Sequence, residues 1–297
     1  MILAVCLNLA LDVTYRVAAL RLHETNRVDA VAARAGGKGV NVARVLAALG
    51  HDVMVTGLAG GLVGEEVRAD LRAAGLADAT MPIAGDTRRT VVAVDEEGGE
   101  PTGLYEPGPE VSAAEWDAFV AGFVALSVEA GAVALSGSLP RGLPADAYAT
   151  LIRASRAPVL LDASGDALRH GIAAAPAIAK PNRDELAALT DEPDLAAAAQ
   201  RVRADGPDVV VISAGADGLV AAAADGIHRA APPEVVTGNP TGAGDAAAAA
   251  LVAGLVAGTP WPERLADAAA LSAAAVHAPV AGSFDADAYA RYREPAA

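Results

Sequence analysis

The stretch Asn239-Pro240-Thr241-Gly242-Ala243-Gly244-Asp245 stands directly before residues 246–256, which are all Ala, Leu, Val or Gly. This composition predicts a buried helix whose small side chains allow close packing. The first N–H groups of a helix have no partner within the helix, and the helix dipole also favours negative charge there. The stretch therefore predicts an anion site at a helix N-terminus, with the carboxylate of Asp245 in the first turn.

Asp245 has two interpretations when this motif is taken alone. A carboxylate beside an anion site is expected if it accepts the proton of a hydroxyl group that attacks phosphorus. Aspartate also stabilises helix N-termini as an ordinary cap. The motif by itself leaves both open.

Around this motif, short apolar segments alternate with helical ones along the whole chain. Helices are predicted at 39–49 and 65–74. Buried strands are predicted at Ile2–Leu7, Val53–Leu58, Val133–Ser136, Val159–Asp162, Ala177–Lys180 and Val209–Ser213. This alternation predicts one α/β domain over residues 1–297, with a central, mostly parallel sheet flanked by helices.

Two stretches break the alternation. Residues 13–34 are extended without a helical pattern, and residues 89–104 read as a hairpin with its turn at 95–100. Together they predict a small second sheet, formed by about 12–35 and 86–106. It could be a lid over the site or an ordinary surface hairpin.

A second glycine-rich motif, Gly36-Gly37-Lys38-Gly39-Val40-Asn41, also precedes a helix. It is not a nucleotide P-loop, because Ala32 stands at the position of the first glycine and Gly39 at that of Ser/Thr. The motif suits a phosphorylated or polyhydroxylated ligand. A glycine turn with a solvated lysine is the alternative.

Three further motifs have both functional and structural interpretations. Asn182 and Glu185, three residues apart after a strand, could hold a hydrated Mg²⁺ or form a capping box. The loop 213–218 could approach a nucleotide phosphate or be a plain turn. Arg88, before the predicted hairpin, suits phosphate oxygens or surface charge.

Composition excludes several classes of protein. The formal charge of −15 argues against a nucleic-acid partner. The single cysteine, Cys6, excludes an internal disulfide, and the five histidines lack metal-ligand spacing. The N-terminus has no signal-peptide pattern, and no uncharged apolar run reaches the ~20 residues of a membrane span. We therefore expect a cytoplasmic protein without a membrane partner.

The motifs resemble, in order and approximate spacing, those of the PfkB family of ribokinase-like sugar kinases. The resemblance rests on residues 36–41, Ser136-Gly137-Ser138-Leu139-Pro140, 180–185, 213–218 and 241–245. It implies a ribokinase-like fold with a small β-sheet lid, and Mg-ATP as phosphoryl donor. The implied site residues are the catalytic base Asp245; the anion-hole amides of Gly242, Ala243 and Gly244; the nucleotide-binding residues Lys180, Asn182, Ser213, Gly215, Gly218 and Thr241; the Mg²⁺ residues Asn182 and Glu185, acting through water; and the substrate-binding residues Asp12, Gly37, Lys38, Asn41 and Arg88.

Lys38 resembles the lysine of the 1-phosphofructokinase and tagatose-6-phosphate kinase branch, which implies a phosphorylated acceptor. We expect fructose 1-phosphate, phosphorylated at its 6-hydroxyl, with Lys38 and Arg88 near its phosphate. Arg27 is the alternative arginine for this phosphate. The alternatives are tagatose 6-phosphate or fructose 6-phosphate, phosphorylated at the 1-hydroxyl, a nucleoside kinase of the same fold, and a non-catalytic sugar-phosphate sensor. The family also implies a homodimer through the lid.

Overall fold

The computed structural model describes residues 1–98, 101–234 and 236–294. Helices and strands alternate along these residues. The strands are β1 Ile2–Cys6, β2 Ala10–Val17, β3 Ala30–Gly36, β4 Val53–Gly60, β5 Ala77–Asp78, β6 Met81–Ile83, β7 Arg88–Asp95, β8 Thr102–Tyr105, β9 Ala132–Ser136, β10 Val159–Asp162, β11 Ile178–Ala179, β12 Val209–Ser213, β13 Leu219–Ala223 and β14 Gly226–Ala230. The helices are α1 Lys38–Ala48, α2 Gly61–Ala73, α3 Ala113–Glu129, α4 Ala147–Ala154, α5 Gly165–Ile172, α6 Arg183–Ala187, α7 Leu195–Arg203, α8 Ala243–Ala257, α9 Trp261–Val276 and α10 Ala286–Tyr292.

The large sheet has the strand order β14-β13-β12-β11-β10-β9-β1-β4-β5, with β6 also paired to β4. Its strands are parallel except at the β12–β13–β14 edge, where the pairing is antiparallel. This confirms the predicted mostly parallel sheet. The predicted helix at 65–74 begins earlier, at Gly61, and the strand predicted at 177–180 is limited to 178–179.

Both faces of this sheet are covered by apolar packing. In β1, Ile2, Ala4 and Cys6 belong to one buried cluster. Leu3 and Val5, which alternate with them, belong to a second cluster. Side chains of successive strand residues point to opposite faces, so the unbroken apolar run of β1 follows from burial on both sides.

The small second sheet has the order β3-β2-β7-β8. β7 and β8 form the predicted antiparallel hairpin, and β2 pairs with β7 in parallel. Gly99 and Glu100, in the turn predicted at 95–100, lie outside the described residues. β3 leads directly into the glycine turn before α1, so this sheet is joined to the helix that carries Asn41.

α8 is the buried small-residue helix that the sequence predicts. Its residues 246–250 are almost completely buried. A Cβ on Gly254 would lie 2.6 Å from Cγ of Arg264 in α9, so glycine there permits the close approach of the two helices. In the described part of the chain, no helix is long and apolar enough to cross a membrane.

Candidate active site

Asp245 lies in the first turn of α8 and is buried, with 6% of its surface exposed. The side-chain amide of Asn41, in α1, donates to its Oδ2 over 2.8 Å. Within the described residues this is the only hydrogen bond of the Asp245 carboxyl group to a side chain. The glycine motif before α1 and the glycine motif before α8 thus meet in one place.

Burial raises the pKa of Asp245 to about 7, and the nearby negative charge of Asp162 acts in the same direction. The Asn41 hydrogen bond and the ammonium groups of Lys38 and Lys180 act in the opposite direction. A general base is most effective when its pKa is close to the working pH, because it is then both deprotonated and basic. This environment suits Asp245 to accept a proton from a hydroxyl group.

Two lysines and one carboxylate form a charged cluster beside Asp245. Lys38 Nζ lies 3.1 Å from Oδ1 of Asp162, and Lys180 Nζ lies 3.1 Å from Oδ2. Burial would raise the pKa of Asp162, but the two lysines outweigh it and lower that pKa. Burial would lower the pKa of Lys38, but Asp162 and Asp245 raise it. The cluster therefore holds two positive charges with one negative charge next to the proton acceptor.

The N-terminus of α8 is a tight glycine turn. Gly242 has a φ of 91°, and a Cβ there would lie 2.8 Å from the Cα of Ala281. The Ala243 amide donates to the Pro240 carbonyl over 3.2 Å. Gly244 and Asp245 are the second and third residues of the helix, where N–H groups have no intrahelical carbonyl. Lys180 points to the same turn, since its Nζ lies 3.7 Å from the place of a Cβ on Gly244. The turn combines free N–H groups with a buried ammonium, as an anion requires.

Four of the residues predicted to bind a nucleotide, Asn182, Ser213, Gly215 and Gly218, lie after β11 and at or after the end of β12, whereas Thr241 lies in the turn before α8. Asn182 and Ser213 form a parallel β-bridge, and the Ser213 amide donates to the Pro181 carbonyl over 3.1 Å. Gly218 has a φ of 82°, and a Cβ there would lie 2.1 Å from the Ala230 carbonyl oxygen. The loop that contains Gly215 is therefore held close to the start of α6.

Asn182 and Glu185 form the capping box that was one of their two interpretations. The Glu185 amide donates to Asn182 Oδ1 and the Asn182 amide to Glu185 Oε2, each over 2.8 Å. No group of three or more His, Cys, Asp or Glu side chains that could hold a metal occurs among the described residues. The oxygen donors of Glu185 and Asn182 are of the type that Mg²⁺ prefers, and Mg²⁺ usually keeps several of its waters.

Asp12 lies on the small sheet, in register with Arg34 of β3 and Thr90 of β7. The Thr90 hydroxyl donates to its carboxylate. Burial raises the pKa of Asp12. The Thr90 hydrogen bond and the positive charges of Arg34 and Arg88 act in the opposite direction and only partly offset it. A Cβ on Gly36 would lie 1.9 Å from Oδ2 of Asp12, so the Asp12 carboxylate packs directly against the glycine turn. The small sheet is therefore in contact with the glycine turn that precedes the helix of Asn41.

Arg88 begins β7 and lines a cleft of about 610 Å³. Its Nη2 donates to the Asn8 carbonyl over 3.4 Å, and its Nε is buried without a hydrogen-bond partner among the described residues. The Asn8 side chain donates to the Ser138 hydroxyl over 3.0 Å. The structure therefore places Lys38 with the carboxylates of Asp162 and Asp245, and Arg88 with Asn8 at the cleft.

The sequence did not indicate three residues of this region. Asp162 ends β10 at the carboxyl edge of the parallel sheet, where ligands bind in open α/β folds, and that rule could have selected it. Asn8 follows β1 at the same edge and could have been found in the same way. Arg34 donates to the Ala281 carbonyl over 2.5 Å. No pattern in the sequence distinguishes Arg34 from other arginines.

A large, mostly parallel sheet flanked by helices, a small second sheet and a buried aspartate at a glycine-rich helix N-terminus together define a ribokinase-like fold. The sequence matches the pfkB family carbohydrate kinase profile over residues 1–287, and the chain belongs to this family. It is therefore a phosphotransferase with a sugar hydroxyl as acceptor. This sets aside the alternative of a non-catalytic sensor. Members of this family use ATP, usually with Mg²⁺.

Solved structures agree with this assignment. Phosphofructokinase-2 from Escherichia coli, in complex with potassium, is 27% identical, with a TM-score of 0.93 over 98% of this chain and 97% of that chain. The same enzyme has structures in complex with fructose-6-phosphate and in a tetrameric inhibited form. Two proteins from Thermotoga maritima share the fold. A possible 1-phosphofructokinase is 23% identical, with a TM-score of 0.84 over 99% of this chain and 97% of that chain. A ribokinase is 17% identical, with a TM-score of 0.79 over 98% of each chain.

Proposed function

We propose that this chain transfers a phosphoryl group from Mg-ATP to the 6-hydroxyl of fructose 1-phosphate, giving fructose 1,6-bisphosphate. The observation that carries the phosphorylated acceptor is the position of Arg88 on the wall of the cleft, where its guanidinium makes one hydrogen bond among the described residues, of 3.4 Å from Nη2 to the Asn8 carbonyl. An arginine fork matches phosphate oxygens. A phosphate on the acceptor would be bound by the remaining donors of the Arg88 guanidinium.

In this proposal, different residues act on the attacking hydroxyl, on the other sugar hydroxyls and on the transferred phosphoryl group. Asp245 takes the proton of the attacking hydroxyl, while Asp12, Gly37 and Asn41 hold the sugar hydroxyls. The α8 turn, with Gly242, Ala243 and Gly244, stabilises the charge of the phosphoryl group during transfer. This catalysis is mainly positioning and electrostatic stabilisation, and it needs no covalent enzyme intermediate.

Lys38 takes a different place in this proposal from the one that the sequence suggested. It was expected to bind the acceptor phosphate together with Arg88. Its ammonium group lies 3.1 Å from Asp162, and although burial lowers the pKa of Lys38, the negative charges of Asp162 and Asp245 raise it above its ordinary value. We therefore assign Lys38 and Lys180 to the phosphoryl group in transfer, and Arg88 to the acceptor phosphate.

ATP would lie along Lys180, Asn182, Ser213, Gly215, Gly218 and Thr241. The residues fit such a ligand, because the glycine turns lack side chains that would block a phosphate and Lys180 supplies a positive charge. Asn182 and Glu185 would hold Mg²⁺ through water. Bound Mg²⁺ would neutralise charge on the phosphates. Chelation with EDTA should abolish turnover, and added Mg²⁺ should restore it.

The small sheet is proposed as a lid, with residues 12–35 and 86–106 as one part of the single domain 1–297. Its exposed apolar side chains include Val31, Leu104 and Tyr105, which are 63%, 65% and 69% exposed. Exposed apolar patches and open sheet edges favour pairing, so a homodimer through this sheet is proposed. A monomeric mass at micromolar concentration would contradict it.

The test of the acceptor is an ADP-release assay with Mg-ATP. Fructose 1-phosphate, fructose 6-phosphate, tagatose 6-phosphate, fructose and adenosine are compared at equal concentration. A clear preference for fructose 1-phosphate supports the proposal. A preference for a 6-phosphate reverses the orientation of the acceptor, as phosphofructokinase-2 would suggest. Turnover limited to fructose or adenosine would contradict the phosphorylated acceptor.

The role of Arg88 has its own test. Arg88→Ala should raise KM for the phosphorylated acceptor by about 10- to 100-fold, because a charge-assisted contact is lost. Arg229→Ala, an exposed arginine on β14, is the matched control and should leave KM unchanged.

A further inference from the structure

We infer that Arg141 is a further specificity-determining residue, which binds the phosphate of the acceptor from a second wall of the cleft that Arg88 lines. Arg141 follows the Ser136–Pro140 motif and lines the same cleft. The inference rests on the proposed function, because it takes the acceptor to be a sugar phosphate.

The backbone of Arg141 is fixed beside the cleft. Arg141 forms a β-bridge with Glu110, and its carbonyl accepts a hydrogen bond of 2.9 Å from the Val111 amide. The next residue, Gly142, has a φ of 83°, and a Cβ there would lie 2.2 Å from the Val111 carbonyl oxygen. Residue 141 is therefore held by two neighbouring backbone constraints, as a preorganised binding residue requires.

The guanidinium group of Arg141 is anchored at one end and free at the other. Its Nε donates to the Gly108 carbonyl over 3.1 Å and lies 3.9 Å from Oε2 of Glu110. In the part of the chain that the structure describes, its Nη groups have no hydrogen-bond acceptor. An arginine has five N–H donors, so four remain for a ligand, and a phosphate can accept two of them in parallel.

The carboxylates of the cleft do not take up these donors. Glu106 accepts a hydrogen bond of 2.8 Å from the Arg89 amide. Asp86 lies against Gly61, the first residue of α2, where the helix dipole favours negative charge. Glu110 is 72% exposed, and an exposed pair at 3.9 Å is weak. Among the described residues, Arg88, Arg89 and Arg141 keep guanidinium donors without an acceptor at the cleft. The guanidinium groups of Arg88 and Arg141 are each anchored by one hydrogen bond, to the carbonyls of Asn8 and Gly108, and these two suit one anion.

The test uses the full-length Arg141→Ala and Arg141→Lys variants with fructose 1-phosphate, fructose 6-phosphate and unphosphorylated fructose. KM of the preferred sugar phosphate should rise about tenfold in Arg141→Ala, and Arg141→Lys should recover part of it. KM for ATP should stay unchanged, as should the melting temperature, which excludes a structural effect. In the Arg88→Ala/Arg141→Ala double variant the two effects should be non-additive, because the residues share one phosphate.

Arg156→Ala, at an exposed position outside the cleft, is the matched control. An unchanged KM in Arg141→Ala, together with a raised KM in Arg88→Ala, would overturn the role of Arg141 and leave the proposed function standing. Equal losses with fructose and with the sugar phosphate would also overturn it, since fructose has no phosphate to lose. If the wild-type protein turns over no sugar phosphate, both the proposed function and this inference are wrong.

Discussion

The side-chain amide of Asn41 donates to the Asp245 carboxylate over 2.8 Å, across 204 residues of sequence. This hydrogen bond joins the helix after the first glycine motif to the helix after the last one. It also places the proton acceptor between an apolar helix core and the charged cluster of Lys38, Asp162 and Lys180.

Replacement of the proposed base should separate catalysis from binding. Asp245→Asn should lower kcat by about 10²–10⁴, because the attacking hydroxyl loses its proton acceptor, while binding of the sugar phosphate is largely retained. Steady-state kinetics and calorimetric binding measure the two quantities. Asp166→Asn, at an exposed position in α5, is the matched control. Near-normal turnover in Asp245→Asn would show that another group is the base.

The rate should depend on pH through Asp245. Its pKa is raised to about 7, so kcat/KM of the wild-type protein should fall as the pH drops below this value and the carboxylate becomes protonated. The Asn41 hydrogen bond stabilises the charged form, so Asn41→Ala should move this acidic limb to higher pH. pH–rate profiles of both proteins test this. As a control, Gln200→Ala, a change at an exposed residue of α7, should leave the pH–rate profile unchanged. A shift to lower pH in Asn41→Ala would contradict the assignment.

Stability should depend on pH in the same region. The folded pKa of Asp245, about 7, is above its ordinary value of 3.8, so the unfolded chain releases this proton first as the pH rises. The wild-type protein should therefore lose stability between pH 4 and 7, and Asp245→Asn should not show this loss. At pH 8 the unfolding free energy of Asp245→Asn should exceed that of the wild-type protein by up to roughly 4 kcal/mol. At pH 4 little of this difference should remain. Urea unfolding of both proteins at pH 4 and pH 8 measures this difference in unfolding free energy. The same difference at both pH values would refute the raised pKa.

Removal of the Asp162 carboxylate from the charged cluster should lower the unfolding free energy of the protein. Asp162→Asn leaves Lys180, which is 4% exposed, and Lys38 without their partner. Breaking a buried ion pair in this way costs about 3–5 kcal/mol of unfolding free energy. Asp162→Asn/Lys180→Met should recover much of this loss without restoring activity. If the double variant is less stable than Asp162→Asn alone, burial of an unpaired lysine is not the cause.

Two glycines at the ends of α8 provide a test of the anion turn. Gly242 and Gly258 both have a positive φ, of 91° and 67°. A Cβ on Gly242 would meet the backbone of Ala281, whereas a Cβ on Gly258 would have no atom within 4 Å. Gly258→Ala should therefore cost only the backbone strain of about 1–2 kcal/mol. Gly242→Ala should cost about 1–3 kcal/mol more, and should lower kcat. Unfolding and kinetic measurements on both variants test this, and similar effects of the two changes would contradict it.

The structure confirms one of two compatible interpretations of Asn182 and Glu185. Their spacing suits both a capping box and a hydrated Mg²⁺ site, and both hydrogen bonds of the capping box are formed, whereas the Mg²⁺ site stays a proposal. Lys38 and Arg88 were expected to act on one acceptor phosphate because Lys38 resembles the lysine of the 1-phosphofructokinase branch. In the structure Lys38 pairs with Asp162 and Arg88 contacts Asn8, and the roles of both residues towards a ligand stay proposals.

The parallel sheet, the buried helix after Gly242 and the motifs at the starts of α1, α6 and α8 could be predicted from the sequence. These features follow from apolar periodicity, glycine turns and the order of motifs, which are local properties. The pairing of Asn41 with Asp245, the position of Asp162 between two lysines and the contact of Arg88 with Asn8 became known from the folded chain. A pKa and a hydrogen-bond partner depend on burial and on groups that are distant in sequence, and no local pattern contains that information.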